Sequence, residues 1–577
     1  MNRPGHRAPP APLDRLAVWL GFQYPKRSSS TPEFESHPHS STAPIPPHPS
    51  SPHHHAAGRR KAPTPTMSQT RSITALGSAE AALDDDATLH SLGYPRVLTR
   101  RMSRFDNFAV SFTIINIIAG VFTGFAAGMG AGGPRSLVWG WLFVSTMVLF
   151  VGAAMAEVCS AYPTSGALYY WSAKLAKRHN AAWSWFTGWL NFAGQIGGTA
   201  GTDFGAAGFI NVLISMVWTS YTPNPRTTLL IFTIVLLVHA LANTFTVRLV
   251  ALLNRVSVWW LIIGVGILVG ALVIVPSKHQ SVSFIFTQFH NATGISNGLY
   301  AGLLGLLTTA WVFTGFDASA HMTEETKSAS VSAPKGIVRS IMYSGIGGFI
   351  LMVTLVWSIS NYNSELSSGE PSAQILIDAL GATTAKFLLL IVIGALLFCG
   401  LANLTSNSRQ IFAFSRDGAM PGSRLWHTVN KRTRTPVNSV WLAAACAFVL
   451  TVPSLWSTTA FEAIISVNVI GLFGSYAIPI FLRLRLGDGF TPGPWNLGRY
   501  GRPVALVAVI WVFLSSILFM LPEQYPFLTV AKFNFAPVAL GVVLVVAAVW
   551  WFITARRHFQ GPINYGTPEE LAAQELV

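Results

Sequence analysis

The segment WVFTGFDASAHMTEET, Trp311 to Thr326, places Gly315, Asp317, His321, Glu324 and Glu325 directly after the apolar run GLYAGLLGLLTTA, Gly298 to Ala310. An acid at the end of such a run either caps a helix in the headgroups or belongs to a site. A carboxylate deeper than the headgroups costs roughly 2.5–3.5 kcal/mol on insertion scales, so it is kept where it meets a cation or a proton. Gly315 allows the backbone to leave the helix beside Asp317. Free carbonyls around Phe313 and Thr314 would then receive an ammonium group, and Asp317 would add a negative charge. Trp311, one turn earlier, would act as a lid or offer a cation–π face.

A second apolar run is interrupted in the same way. NFAVSFTIINIIAGVFTGFAAGMGAGGP, Asn107 to Pro134, carries Gly120 and Gly124 near its middle. In hydrocarbon every backbone N–H and C=O must be paired, so a broken helix is tolerated only where it lines a cavity. A helix restarting there presents unpaired N–H groups at its positive dipole end. Around Ile118, Ala119, Gly120 and Val121 these would hold a carboxylate without any arginine. Each glycine alone reads equally well as a close-packing residue between helices. The two interruptions together favour a site near the bilayer midplane.

Other polar residues fall inside apolar runs. Asn191 and Gln195 lie one turn apart, as site-lining groups or as structural hydrogen-bonders. Asp203 lies deeper in the same run, as a proton-linked acid, a partner for an amine, or a vestibule residue. Glu157, Arg416 and Asp417 lie at helix ends and read as gate or loop charges. Glu324 and Glu325, close to Lys327 and Lys335, read the same way. No HExxH, GxSxG or phosphate-binding loop occurs in the apolar segments, so an enzyme is not expected. Cys159, Cys399 and Cys446 lack the spacing of a zinc site or disulfide framework and read as packing residues. No metal and no cofactor is expected; the His53–His55 run has no acidic or cysteine partner nearby.

The elements that position these residues follow from composition. Of 577 residues 51% are hydrophobic and only 11% charged, with mean hydropathy +0.46; soluble domains carry about 25% charged residues. An all-α integral membrane protein is implied. The net charge of +15 fits basic loops that set topology rather than nucleic-acid binding. Residues 1–66, rich in Pro, Ser and His, form an extension without a core. Translation starting at Met67 is one expectation, which peptides from residues 1–66 in the native protein would overturn. Residues 67–105 read as a leader, 106–554 as the membrane domain and 555–577 as a tail. Twelve spans are expected, at about 106–130, 136–161, 184–217, 228–246, 251–275, 297–317, 337–360, 384–412, 437–452, 460–482, 502–521 and 530–554. Alternate loops hold the basic residues, from Arg96, Arg100, Arg101 and Arg104 to Arg556 and Arg557. The intervening loops hold only Arg135, Arg226, Lys278, Lys386 and Lys532. Both termini are therefore expected in the cytoplasm.

Three motifs carry a resemblance. AEVCSAYPTSGALYYW (Ala156 to Trp171), FTGFDASAHMTEET (Phe313 to Thr326) and SNSRQIFAFSRDGAMP (Ser406 to Pro421) resemble the amino acid–polyamine–organocation permeases. LGYPRVLTRRMSRFDNFAVSF (Leu92 to Phe112) looks like their amino acid/choline branch, which includes GABA permeases. The resemblance covers about residues 90–560. It implies a LeuT-type architecture, with spans one to five and six to ten as inverted repeats, broken first and sixth helices, and two peripheral helices. It implies that Ala119–Gly120 and Phe313–Asp317 are unwound substrate-binding segments, and that Trp311 or Phe313 gates the site. Asn403, Thr405 and Ser406 would match the ion site of sodium-coupled relatives, with polar helix contacts as the alternative. An amino acid carrier of the plasma membrane is expected, GABA first, coupled to protons through Asp317 or Asp203. No lysine occurs inside the fifth span, where some relatives place one instead of an ion site. The alternatives are a choline, ethanolamine or polyamine carrier, and a transport-inactive sensor on the same scaffold.

Overall fold

A capping box starts the first span. Ser103 Oγ accepts from the Asp106 N–H and the Asp106 carboxylate accepts from the Ser103 N–H, satisfying two backbone donors at once. Arg255, from the fifth span, then pairs with Asp106. The computed structural model describes residues 85–576 apart from 246, 457–459, 527–528 and 530–532. The expected extension at 1–66, its His53–His55 run, residues 67–84 of the leader and Lys532 lie outside the described residues.

The chain is helical throughout its membrane part. The helices are α1 (Arg104–Ile115), α2 (Ile117–Gly130), α3 (Gly133–Ala161), α4 (Ala167–Leu175), α5 (Asn180–Val217), α6 (Pro225–Phe245) and α7 (Val247–Ile274). There follow α8 (Gly298–Leu304), α9 (Leu306–Val312), α10 (Ala318–His321), α11 (Ala329–Trp357), α12 (Pro371–Leu380) and α13 (Ala382–Arg416). The last are α14 (Val437–Thr451), α15 (Ala460–Leu486), α16 (Gly501–Met520) and α17 (Ala536–Ile553). Among the described residues eleven helices are long and apolar enough to cross a membrane. The expected sixth span is the exception. Its apolar helix, Gly298–Val312, is shorter, because the backbone leaves the helix at Phe313.

The pairing of helices repeats at an interval of five spans. α3, the second span, packs along α11, the seventh; α5, the third, packs along α13, the eighth; and α2 packs on α9, the outgoing and incoming halves of spans one and six. The short helices α4 and α12 occupy matching places, after the second and the seventh span, and each packs on the next span. α16 and α17 lie outside this set and expose Leu506, Phe513, Val542 and Phe552, side chains suited to lipid.

Lipid offers no hydrophobic drive between helices, so close approach does the packing. α5 and α15 cross backbone to backbone: a Cβ on Gly194 would lie 2.6 Å from the Leu472 nitrogen, and one on Gly471 would lie 2.9 Å from the Gly194 nitrogen. Gly194→Leu is expected to cost about 1–3 kcal/mol by overpacking and to lower the Tm of purified protein. Gly270→Leu, where nothing lies within 4 Å, should leave the Tm unchanged; equal melting of both variants would refute this account of the crossing.

Candidate functional site

The first break falls at Asn116, four residues before the expected Gly120. Asn116 takes φ +14° and ψ 88°, outside the helical region. Its Oδ1 accepts from the Ala119 N–H (3.1 Å) and its Nδ2 donates to the Ala395 carbonyl on α13 (2.9 Å). The Gly120 N–H bonds to the Asn116 carbonyl. Ala119, Gly120 and Val121 are thus helical, and a helix start leaves the N–H groups of Ile117 and Ile118 as the ones open to a ligand. Gly120 and Gly124 serve close packing. A Cβ on Gly120 would lie 2.8 Å from Val312 Cγ2, and Gly124 lies against Thr308 and Trp311.

The second break falls where the sequence placed it, over Phe313–Asp317. Gly315 has φ +77°, and a Cβ there would meet Ile114 Cγ2 at 2.3 Å, so only glycine fits. Its N–H donates to the Tyr476 hydroxyl (3.1 Å).

Between the breaks lies a small cavity of about 20 Å³, about the room for one water. Ala119, Gly120, Trp311 and Thr314 line it, with Thr123, Thr202, Cys399 and Asn403. None of its lining residues carries a charged side chain. Trp311 Nε1 donates to Thr123 Oγ1 (3.1 Å), and its ring covers Gly201 of α5, so the indole ties the two segments together. Ile118, Val121, Gln195, Phe313, Gly315 and Asp317 do not line this cavity; Phe313 packs on Trp141 instead. A larger groove of about 660 Å³, lined by Trp139, Phe143, Leu299 and Leu303, lies on the exposed apolar surface, away from both breaks.

Asp317 is fully buried and saturated with donors. Oδ1 accepts from the Tyr476 hydroxyl at 2.8 Å; Oδ2 faces Asn191 Nδ2, Gln195 Nε2 and His321 Nε2 at 3.0–3.2 Å. Asn191 and Gln195 are therefore hydrogen-bonders to Asp317. His321 Nδ1 lies 2.9 Å from the Ser165 carbonyl, which only accepts. Nδ1 is thus protonated, and the bond at Nε2 requires a second proton, shared with the carboxylate.

Asp203 forms another pair with a histidine, His239 of α6, at 3.1 Å. Asn403 reaches the cavity and donates to Thr202 Oγ1. Thr405 is committed to Asn243 Oδ1 (2.6 Å), and Ser406 Oγ has no hydrogen-bond partner among the described residues. The structure therefore does not bring Asn403, Thr405 and Ser406 together.

One end of the bundle is closed by charge pairs. Glu157 meets Arg483 (2.9 Å), Glu324 meets Arg416 (3.0 Å) and Glu325 meets Arg409 (2.9 Å). Glu324 and Glu325, read from sequence as gate or interface charges, each pair with an arginine of α13. Burial works against the Glu324 charge, but Arg416 and the Ser165 N–H outweigh it and hold its carboxyl below the usual range. Asp417 accepts from the hydroxyls of Tyr94 and Tyr169, both at 2.8 Å, and from the Ile563 N–H. Tyr565 donates to the Arg416 carbonyl, so leader, eighth span and C-terminal segment meet there. Burial pushes the Asp417 carboxyl up to about 6 despite Arg416 and these donors.

His239, Tyr476, Asn116 and Arg409 were not singled out from sequence, and His321 was named there without a partner. His321 had a usable signal, its i,i+4 spacing from Asp317; His239 and Arg409 had the signal of an ionisable residue within an apolar run. Tyr476 and Asn116 had none.

The sequence profile of the family described as "Amino acid permease" matches residues 105–548. Amino-acid permease BAT1 of Arabidopsis thaliana is 39% identical over 495 residues, covering 82% of this chain and 96% of that protein. Its homolog in Oryza sativa is 40% identical over 497 residues, covering 83% and 95%. Amino-acid permease 2 of Neurospora crassa is 30% identical over 518 residues, covering 88% and 93%.

The closed end should respond to pH through Asp417. Its pKa is raised in the packed state, so the packed state binds the proton more tightly than a solvated one. Packing around residues 560–566 is expected to tighten as pH falls through about 6. Hydrogen-exchange protection factors there should rise about tenfold between pH 7 and 5. Asp417→Asn should flatten the response; an unchanged profile in that variant would assign the effect to another group.

Proposed function

The chain belongs to the amino acid permease family, and from that premise we propose a secondary carrier that moves an amino acid by alternating access between the two sides of a membrane. One observation carries this reading. The start of α2 and the end of α9 face each other across a cavity whose walls bear no charged side chain. The open N–H groups of Ile117 and Ile118 sit at the positive end of α2, just before the lining residue Ala119, and suit a carboxylate; the carbonyls at the negative end of α9, around Phe313 and the lining residue Thr314, suit an ammonium. A zwitterion engages both ends, whereas choline engages one. With room for about one water, the site is occluded under Trp311, and rocking of the paired spans about it would open each side in turn. The five-span interval between matching helix pairs supports an inverted repeat.

GABA is the first substrate to test, by resemblance, among small amino acids without a charged side chain. Proton coupling is favoured over sodium because Thr405 is committed elsewhere, leaving Asn403 alone of that set at the cavity. The plasma membrane, with both termini cytoplasmic, is the location proposed from the loop charges.

Counterflow in proteoliposomes tests the reading. Labelled GABA, alanine, glutamate and lysine are offered outside, the unlabelled amino acids inside, and choline and putrescine serve as competitors. Exchange of at least one amino acid, insensitive to choline, is expected. Gly120→Val drives a side chain into Val312 at the cavity wall; about 1–3 kcal/mol of overpacking converts to roughly a 5- to 150-fold loss of affinity. Competition only by choline or putrescine would move the protein to cation carriage, and absence of exchange by folded protein would favour a sensor.

A further inference from the structure

Among the described residues two buried Asp–His pairs lie in the membrane domain, and their hydrogen bonding differs. Asp317 has donors on both oxygens, from spans three and ten and from His321. A carboxylate so satisfied keeps its charge and holds its neighbours in place. It also holds the break, because Tyr476 bridges Asp317 to the Gly315 N–H.

Asp203 is equally buried but only half satisfied. Oδ2 faces His239 Nδ1 at 3.1 Å, while Oδ1 has no hydrogen-bond partner among the described residues. Gly400 of α13 packs directly against Oδ1: a Cβ there would lie 1.8 Å from it and bring no donor. An ionised oxygen without a donor is costly in an apolar interior, and a proton there removes the charge. His239 donating from Nδ1 remains compatible with either form. The preceding residue, Thr202, lines the cavity with Cys399 and Asn403 of α13, so this charge lies directly behind the cavity wall.

We propose that the Asp203–His239 pair, and not Asp317–His321, binds and releases the coupling proton, at Asp203 Oδ1. This rests on the reading of the chain as a proton-coupled carrier. Protonation makes the pair neutral and lets the junction of α5, α6 and α13 repack; release restores the charge. Asp317–His321 acts as a positioning latch for the sixth-span break.

The surrounding groups leave this assignment clear. On α13, the Cys399 thiol is engaged with the Ile114 carbonyl (3.1 Å), while Arg409 and Arg416 are paired with Glu325 and Glu324. On α6, His239 is the ionisable side chain that faces Asp203. Next to α12, the Glu370 carboxyl lies against Gly208 of α5, about 7.5 Å further along the helix axis. Burial pushes it up to about 8, so it is protonated at neutral pH and adds no negative charge.

The test separates coupling from carriage in full-length protein reconstituted into liposomes, using whichever amino acid of the panel exchanges fastest. A one-unit pH gradient, with the potential clamped by potassium and valinomycin, sustains about tenfold accumulation per coupled proton. Wild type should reach about that level. Asp203→Asn and His239→Gln should keep counterflow yet fail to accumulate above equilibrium, and counterflow should lose its pH dependence in Asp203→Asn. Asp317→Asn should lose counterflow and accumulation together. Gradient-driven accumulation retained in Asp203→Asn would overturn the proposal. So would wild type that exchanges but ignores the gradient. Absence of exchange in wild type would instead remove the carrier reading itself. If Asp203→Asn does not fold, His239→Gln and the pH profile of wild-type counterflow decide: a flat profile between pH 5 and 8 counts against the pair.

Discussion

A peptide group left unpaired in hydrocarbon costs several kcal/mol, and the whole centre of this protein is built around two places where the helix stops. Each break is held by side chains that take over the missing bonds. At the first, Asn116 caps the Ala119 N–H and reaches across to the Ala395 carbonyl. At the second, Tyr476 receives the Gly315 N–H and passes the interaction to Asp317. These partners come from spans eight and ten, so the breaks exist only because the rest of the bundle surrounds them. What remains open is a helix start facing a helix end, a pair of opposite partial charges.

The polar residues of the core fall into layers with different work. Closest to the breaks lie the hydroxyls and the thiol that line the cavity. Behind them lie two Asp–His pairs, one saturated and one lacking a donor. Farther along, three glutamate–arginine pairs close one end of the bundle. His321 links the layers, since its Nδ1 faces the Ser165 carbonyl, and the Ser165 N–H donates to Glu324, which pairs with Arg416. Hydrogen-bonded groups thus run from Gly315 beside the cavity to the closed end.

Much of this was legible as pattern. Eleven of the expected apolar runs correspond to long helices among the described residues, with wider margins at span seven, which begins at Ala329, and at the last span, which begins at Ala536. The sixth run ends as a helix at Val312, five residues short of its expected end. The break at Gly315–Asp317 was legible because glycine and aspartate interrupt an apolar run together. The break at Asn116 was not, because a lone asparagine among isoleucines looks like any buried polar residue, while Gly120 and Gly124 drew attention for a feature that proved to be packing. Glu324 and Glu325 were legible as gate or interface charges beyond the sixth span, but their partners were not, because Arg409 and Arg416 arrive from α13.

The sequence by itself determined the membrane class, the order of the apolar runs and the interruption at Gly315–Asp317, since these depend on local composition and on the energetic demand that lipid places on every residue. The tertiary structure alone decided which polar groups meet. Asp317 gained donors on both oxygens because Asn191, Gln195 and Tyr476 arrive from helices distant in the chain, while Asp203 Oδ1 met none among the described residues, and no period or spacing encodes the facing of a side chain across a bundle.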